Sequence, residues 1–97
     1  MFQLTVADVF SIKGRGTVVT GVVESGSVRV GDQAQIDGGP AVTVKGVEKF
    51  RKVSDEAHEG ETVGLLLDGV ERADVAQGAV LTGPGGGTVR VEGLGLT

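Results

Sequence analysis

Apolar and polar residues alternate with a period of two along most of the chain. Phe2, Leu4 and Val6 alternate with Gln3, Thr5 and Ala7, the pattern of a strand with one buried face. Asp8 to Ile12 continues toward a turn at Lys13-Gly14-Arg15-Gly16. The strongest strand signal is Thr17 to Glu24, and Gly21 inside it reads as a bulge or a barrel bend. Ser25-Gly26 reads as a turn, Val28 and Val30 flank Arg29, and Gly31-Asp32 turns the chain again. Gln33 to Ile36 is a short strand, and Asp37-Gly38-Gly39-Pro40 a loop. Ala41 to Phe50 predicts another strand, with a second bulge at Lys45-Gly46-Val47. Asp55 to Gly60 is polar and is expected to be an exposed loop. In the strand Glu61 to Leu67, Val63, Leu65 and Leu67 share one face and Leu66 takes the other. After the turn Asp68-Gly69, Val70 to Val75 has room for one helical turn. Ala79 to Thr82 is a short strand, Gly83 to Gly87 is linker-like, and Thr88 to Glu92 alternates as a final strand.

Short strands at regular spacing, separated by glycine turns, predict an all-β fold. Eighteen glycines spread along 97 residues leave no long window for a helix. The expected architecture is a small closed six-to-eight-stranded antiparallel barrel, Greek-key-like, because closure removes sticky edges. The barrel is assigned to residues 1–84, and residues 85–97 to a glycine-rich connection and a final strand packing on it. Val30-Gly31-Asp32 weakly echoes Glu59-Gly60-Glu61, which reads as recurring turn chemistry.

Composition narrows the chemistry. The net charge is −4 and Lys and Arg number 9, a balance unsuited to tracking a long phosphate backbone. Phe2, Phe10 and Phe50 are the only aromatics, too few for a platform that stacks several bases. Without cysteine there are no disulfides and no thiolate metal sites. No signal peptide or membrane span is visible, and a cytoplasmic location is the default expectation.

Catalytic motifs are missing. Asp55-Glu56-Ala57-His58 spells the acidic box of some helicases, but no G-x-x-x-x-G-K-[ST] loop accompanies it, so neither GTP nor ATP hydrolysis is expected. The acidic group Asp55, Glu56, Glu59 and Glu61 lacks calcium-loop spacing. His58 is the one histidine, has no nucleophile beside it, and reads as a surface residue. No metal, cofactor or catalytic residue is assigned. Gly14-Arg15-Gly16 projects an arginine at a strand entrance; the plainer reading is a tight turn whose Arg15 pairs with Asp8 or Glu48. Lys13, Arg15, Lys49, Arg51 and Lys52 form either a small positive patch or a charged strand end.

Asp8-Val9-Phe10-Ser11-Ile12-Lys13-Gly14-Arg15-Gly16-Thr17-Val18-Val19-Thr20-Gly21 closely resembles the opening of the second domain of bacterial elongation factor Tu. Val28 to Asp32, Gly46 to Lys52, Val63 to Leu67 and Gln77 to Leu81 continue the resemblance in order, over roughly Phe2 to Pro84. The resemblance implies the β-barrel of translation factor domain 2, which in the full factor cradles the 3′ end and aminoacyl group of aminoacyl-tRNA. Asp8, Phe10, Ile12, Gly14, Arg15, Val18, Glu48 and Arg51 match that surface. Glu48 would contact the terminal adenosine, with Arg51 nearby.

Several positions depart from the family pattern. Ala7 stands where the family typically has glutamate, and Thr62 where it has asparagine; both positions line the aminoacyl pocket. Asp68 replaces a typical arginine, and the loop at Gly38-Gly39-Pro40 is shorter. GTP-controlled tRNA delivery is not expected of this chain, which carries neither the GTPase domain nor the third domain. The chain is read as a stand-alone binding module. Its partner is an aminoacyl-tRNA 3′ end, a ribosomal component or a protein docking on the same face. The alternative is a structural or protein-interaction barrel that has lost tRNA binding.

Overall fold

A computed structural model describes residues 2–49 and 52–83. Ten strands and one 3₁₀ turn follow in order: β1 (Phe2–Thr5), β2 (Asp8–Ile12), β3 (Gly16–Ser25), β4 (Ser27–Arg29), β5 (Gln33–Ile36), β6 (Ala41–Lys49), β7 (Lys52–Ser54), β8 (Glu56–His58), β9 (Thr62–Asp68), the 3₁₀ turn Arg72–Asp74, and β10 (Val80–Gly83). All pairings are antiparallel. The main sheet runs β1-β10-β5-β6-β9-β3, and pairing of β1 with β3 closes these six strands into a barrel. β2 and β7 add to its margins, through β3 and β6 respectively. β10 returns to lie beside β5, giving the order β10-β5-β6-β9, which is the Greek-key arrangement. The all-β closed barrel read from the sequence is therefore the observed fold. The final strand expected at Thr88–Glu92, and the whole 85–97 segment, lie outside the described residues.

The period-two pattern explains the core. Val19 and Val23 of β3, Val44 and Val47 of β6, Leu65 and Leu67 of β9, and Leu81 of β10 all point inward and are fully buried. Phe2 and Leu4 of β1 close the packing. Thr17 is the buried polar side chain among the described residues, and its hydroxyl donates to the Val70 carbonyl at 2.9 Å. That bond removes the cost of leaving the hydroxyl unpaired.

Both suspected irregularities have a physical cause. In the β6–β9 ladder, Val44 faces Leu67 and Gly46 faces Leu66, so Lys45 is an extra residue. The bulge lets Val44 and Val47, three apart in sequence, both face the core. Without it Glu48 would point inward. Gly21 is not a bulge, since the β3–β9 register runs unbroken from Thr17 to Val22. It marks the bend where the other edge of β3 passes from β2 to β1.

The Asp55–Gly60 expectation needs correcting. Glu56–His58 is a strand, paired with β4 in a two-stranded ribbon, and Ala57 is fully buried opposite Val28. A short strand with one apolar residue between two charged ones carries almost no periodic signal. The echo between the two Gly-acid turns, by contrast, is structural. The Arg29 amide donates to the Asp32 carboxylate, and the His58 amide to the Glu61 carboxylate. In each turn the acidic residue's own amide donates back, to the Arg29 and His58 carbonyls at 3.0 Å.

Candidate functional site

The outer face of β2-β3-β9-β6 carries the site. Strand alternation sends Phe10, Val18, Leu66 and Gly46 outward, and the registers set them side by side: Phe10 faces Val18, Val18 faces Leu66, and Leu66 faces Gly46. The next outward row is Asp8, Thr20, Gly64 and Glu48. The bulge at Lys45 brings Glu48 to this surface, directly across from Gly64. Phe10 is 51% exposed and Ile12 39%, large apolar side chains left in water.

Two adjoining depressions share the rim formed by Ile12, Val18, Glu48 and Gly64. The first, about 270 Å³, has Leu66 and Gly46 in its floor and Arg15, Lys45 and Asp55 at its margin. The second, about 400 Å³, extends over Phe10, Thr20, Thr62 and Lys49. Glycine at 46 keeps the first floor low, and glycine at 64 keeps the shared rim low. A Cβ at Gly64 would already touch Val18, and one at Gly46 would touch Leu66.

Electrostatics around the site are modest. Lys49, at the second depression, is tied to Glu61 at 3.0 Å, and among the described residues Arg15 and Lys45 are the cations lining the first. The Glu61 carboxyl is held below its ordinary range, chiefly by the backbone amide of His58 and then by the Lys49 ammonium. Among the described residues Arg15 makes no ion pair, so the expected pairing with Asp8 or Glu48 is not formed. Gly14, at φ 80°, supplies the left-handed turn that lets Arg15 swing out at the end of the β2–β3 hairpin.

The sequence-matched residues thus divide. Phe10, Ile12, Val18, Glu48, Arg15 and Thr62 meet around the two depressions. Asp8 does not join them. Its carboxylate accepts from the Gln77 side chain at 3.0 Å, and it lines a separate groove beside the 3₁₀ turn. Ala7 is exposed at that same end, its carbonyl also accepting from Gln77. Arg51 lies outside the described residues. Leu66, Gly46, Gly64 and Lys45 belong to the site although motif matching did not single them out. The signal for Leu66 was its parity opposite Val63, Leu65 and Leu67.

His58 is a surface side chain, 3.5 Å from the Glu56 carboxylate, as its sequence context predicts. Among the described residues no group of His, Asp and Glu side chains is placed to hold a metal ion, and no helix is long and apolar enough to cross a membrane. A family model described as elongation factor Tu domain 2 matches residues 16–82, more than half of the chain. The match spans β3 to β10 and takes in Val18, Glu48, Thr62 and Leu66; the Asp8–Arg15 segment precedes it.

Proposed function

The chain belongs to the elongation factor Tu domain 2 family, and from that premise we propose that it is a non-catalytic module binding the 3′ end of aminoacyl-tRNA on the outer face of β2-β3-β9-β6. One observation carries this reading: Phe10, Ile12, Val18 and Glu48 converge on two linked depressions of one sheet face. Recognition of an RNA end needs an apolar wall for an unstacked base and polar groups at its edge. Ile12 and Val18 form the wall, and the low floor of Leu66 and Gly46 admits a flat ring. Glu48 accepts hydrogen bonds at the rim. Arg15 is free to meet a phosphate, which positions the ligand without reading its sequence. In this reading the second depression, over Phe10 and Thr62, takes the aminoacyl group, with Arg51 near the terminal nucleotide. The chain supplies no GTP chemistry, and its setting is translation in the cytoplasm.

The test is fluorescence anisotropy of labelled aminoacyl-tRNA against the purified protein at low and moderate salt, with uncharged tRNA as control. Saturable, salt-sensitive binding that prefers the charged form supports the proposal. No binding at high micromolar protein discards it.

A second reading has its own support. Phe10, Ile12, Val22 and Val30 are large apolar side chains exposed on a chain of net charge −4. That combination suits a protein-interaction barrel that has lost tRNA binding better than one tracking phosphates. Binding to a protein partner would be insensitive to salt, which separates the two readings.

A further inference from the structure

β2 is one of two strands, with β7, left at the margins of the closed six-stranded barrel. Among the described residues it pairs with β3 alone. An edge strand with free backbone groups is a template for another strand, and this one carries exposed Phe10 and Ile12 on its outer face. Two side chains from the far end of the sequence lie along that edge. The Arg72 Nε donates to the Val9 carbonyl at 3.4 Å, and the Gln77 amide nitrogen donates to the Ala7 carbonyl at 3.0 Å. These carbonyls are two residues apart, the spacing at which backbone groups recur on one edge of a strand. Arg72 and Gln77 therefore take the positions that a neighbouring strand would fill.

We infer that Arg72 and Gln77 guard the free edge of β2 and keep it from pairing with β2 of a second copy. β2 suits self-pairing. Placed antiparallel about Phe10, two copies put Val9 opposite Ser11 along the edge and Asp8 opposite Ile12, so the two Asp8 charges do not face each other. Both Phe10 side chains then share one outer face, and the contact closes as a two-fold dimer. The segment around the 3₁₀ turn flanks β2 across a groove, and its bonds to the edge are two exposed ones, one of them long, so truncating two side chains outside the core uncovers the Ala7 and Val9 carbonyls.

The test is sedimentation velocity on the full chain over a wide concentration range, with circular dichroism to verify folding. The wild type is expected to sediment at the 9.8 kDa of one chain. The Arg72→Ala/Gln77→Ala double variant should form species of twice that mass or more as concentration rises. Adding Ser11→Pro removes an edge-facing N–H from β2 and should return the double variant to single chains. The inference is overturned by a wild type that is itself dimeric, or by a double variant that stays single. It is equally overturned if association persists with Ser11→Pro, because it then runs through unfolding or another surface.

Discussion

Gly21 lies directly against the carbonyl of Thr5: a Cβ built on Gly21 would overlap that oxygen and also crowd the Leu4 side chain. The contact sits where β3 changes neighbours from β2 to β1, so it sets how tightly the barrel closes. The blocking atom is backbone, which cannot rotate away. Gly21→Ala is therefore expected to destabilise by about 1–3 kcal/mol, the usual cost of overpacking. Urea unfolding monitored by far-ultraviolet circular dichroism reads this as a lower midpoint at unchanged slope.

The Glu61 carboxyl ties its own turn to the end of β6, beside the site. It accepts from the His58 amide at 2.6 Å and pairs with Lys49 at 3.0 Å. Both contacts favour the charged form, so the folded-state pKa lies below the ordinary value of 4.5. A group with a depressed folded pKa adds stability above its unfolded pKa and loses it as pH falls through the folded value. Glu61→Gln should therefore melt below the wild type at neutral pH, and the gap should narrow as pH drops below 4.5. A gap that stays constant from neutral to strongly acidic pH would mean that Glu61 contributes nothing through its charge.

Long strands were legible because their burial is periodic. β3, β6 and β9 each carry several inward apolar residues, and the Val44–Val47 spacing announced the bulge between them. β8 was not legible, because Ala57 is its only inward residue and its burial depends on Val28, far away in sequence. The site follows the same division. Phe10, Ile12 and Val18 lie within one hairpin, and a motif can capture them. That Glu48, Gly64 and Leu66 adjoin them depends on register across three strands, which no local pattern states. Asp8 stands on the same outer face, across from Thr20, but Gln77, 69 residues on, holds its carboxylate toward the groove beside the 3₁₀ turn.

Gly64 separates binding from stability. It lies between Thr20 and Glu48 on the outer face, on the rim shared by both depressions. A Cβ there would come no closer than 3.5 Å to Val18 Cγ1, an ordinary contact, and its φ is not left-handed. Gly64→Ala should change stability by less than about 0.5 kcal/mol, as surface substitutions usually do. It raises the shared rim between Val18 and Glu48, however, and should weaken capture of an aminoacyl-tRNA end. Unchanged anisotropy titrations together with unchanged melting would move the site off this face.

Arg15 distinguishes a phosphate contact from a structural turn. It is exposed, and among the described residues it has no ion pair to lose. The turn itself is made by Gly14 and by the bond from the Arg15 backbone amide to the Ile12 carbonyl at 2.9 Å, neither of which needs the guanidinium. Arg15→Ala should therefore leave the melting temperature in place. If Arg15 meets a phosphate of the bound tRNA end, its loss should weaken binding at every salt concentration. It should also flatten the plot of log affinity against log salt by about one, the signature of one fewer released counterion. A variant that loses stability instead would make Arg15 part of the turn's scaffold. A variant that binds with an unchanged salt slope would move the cationic contact to another residue, such as Lys45, which lines the first depression and makes no ion pair among the described residues, or Arg51.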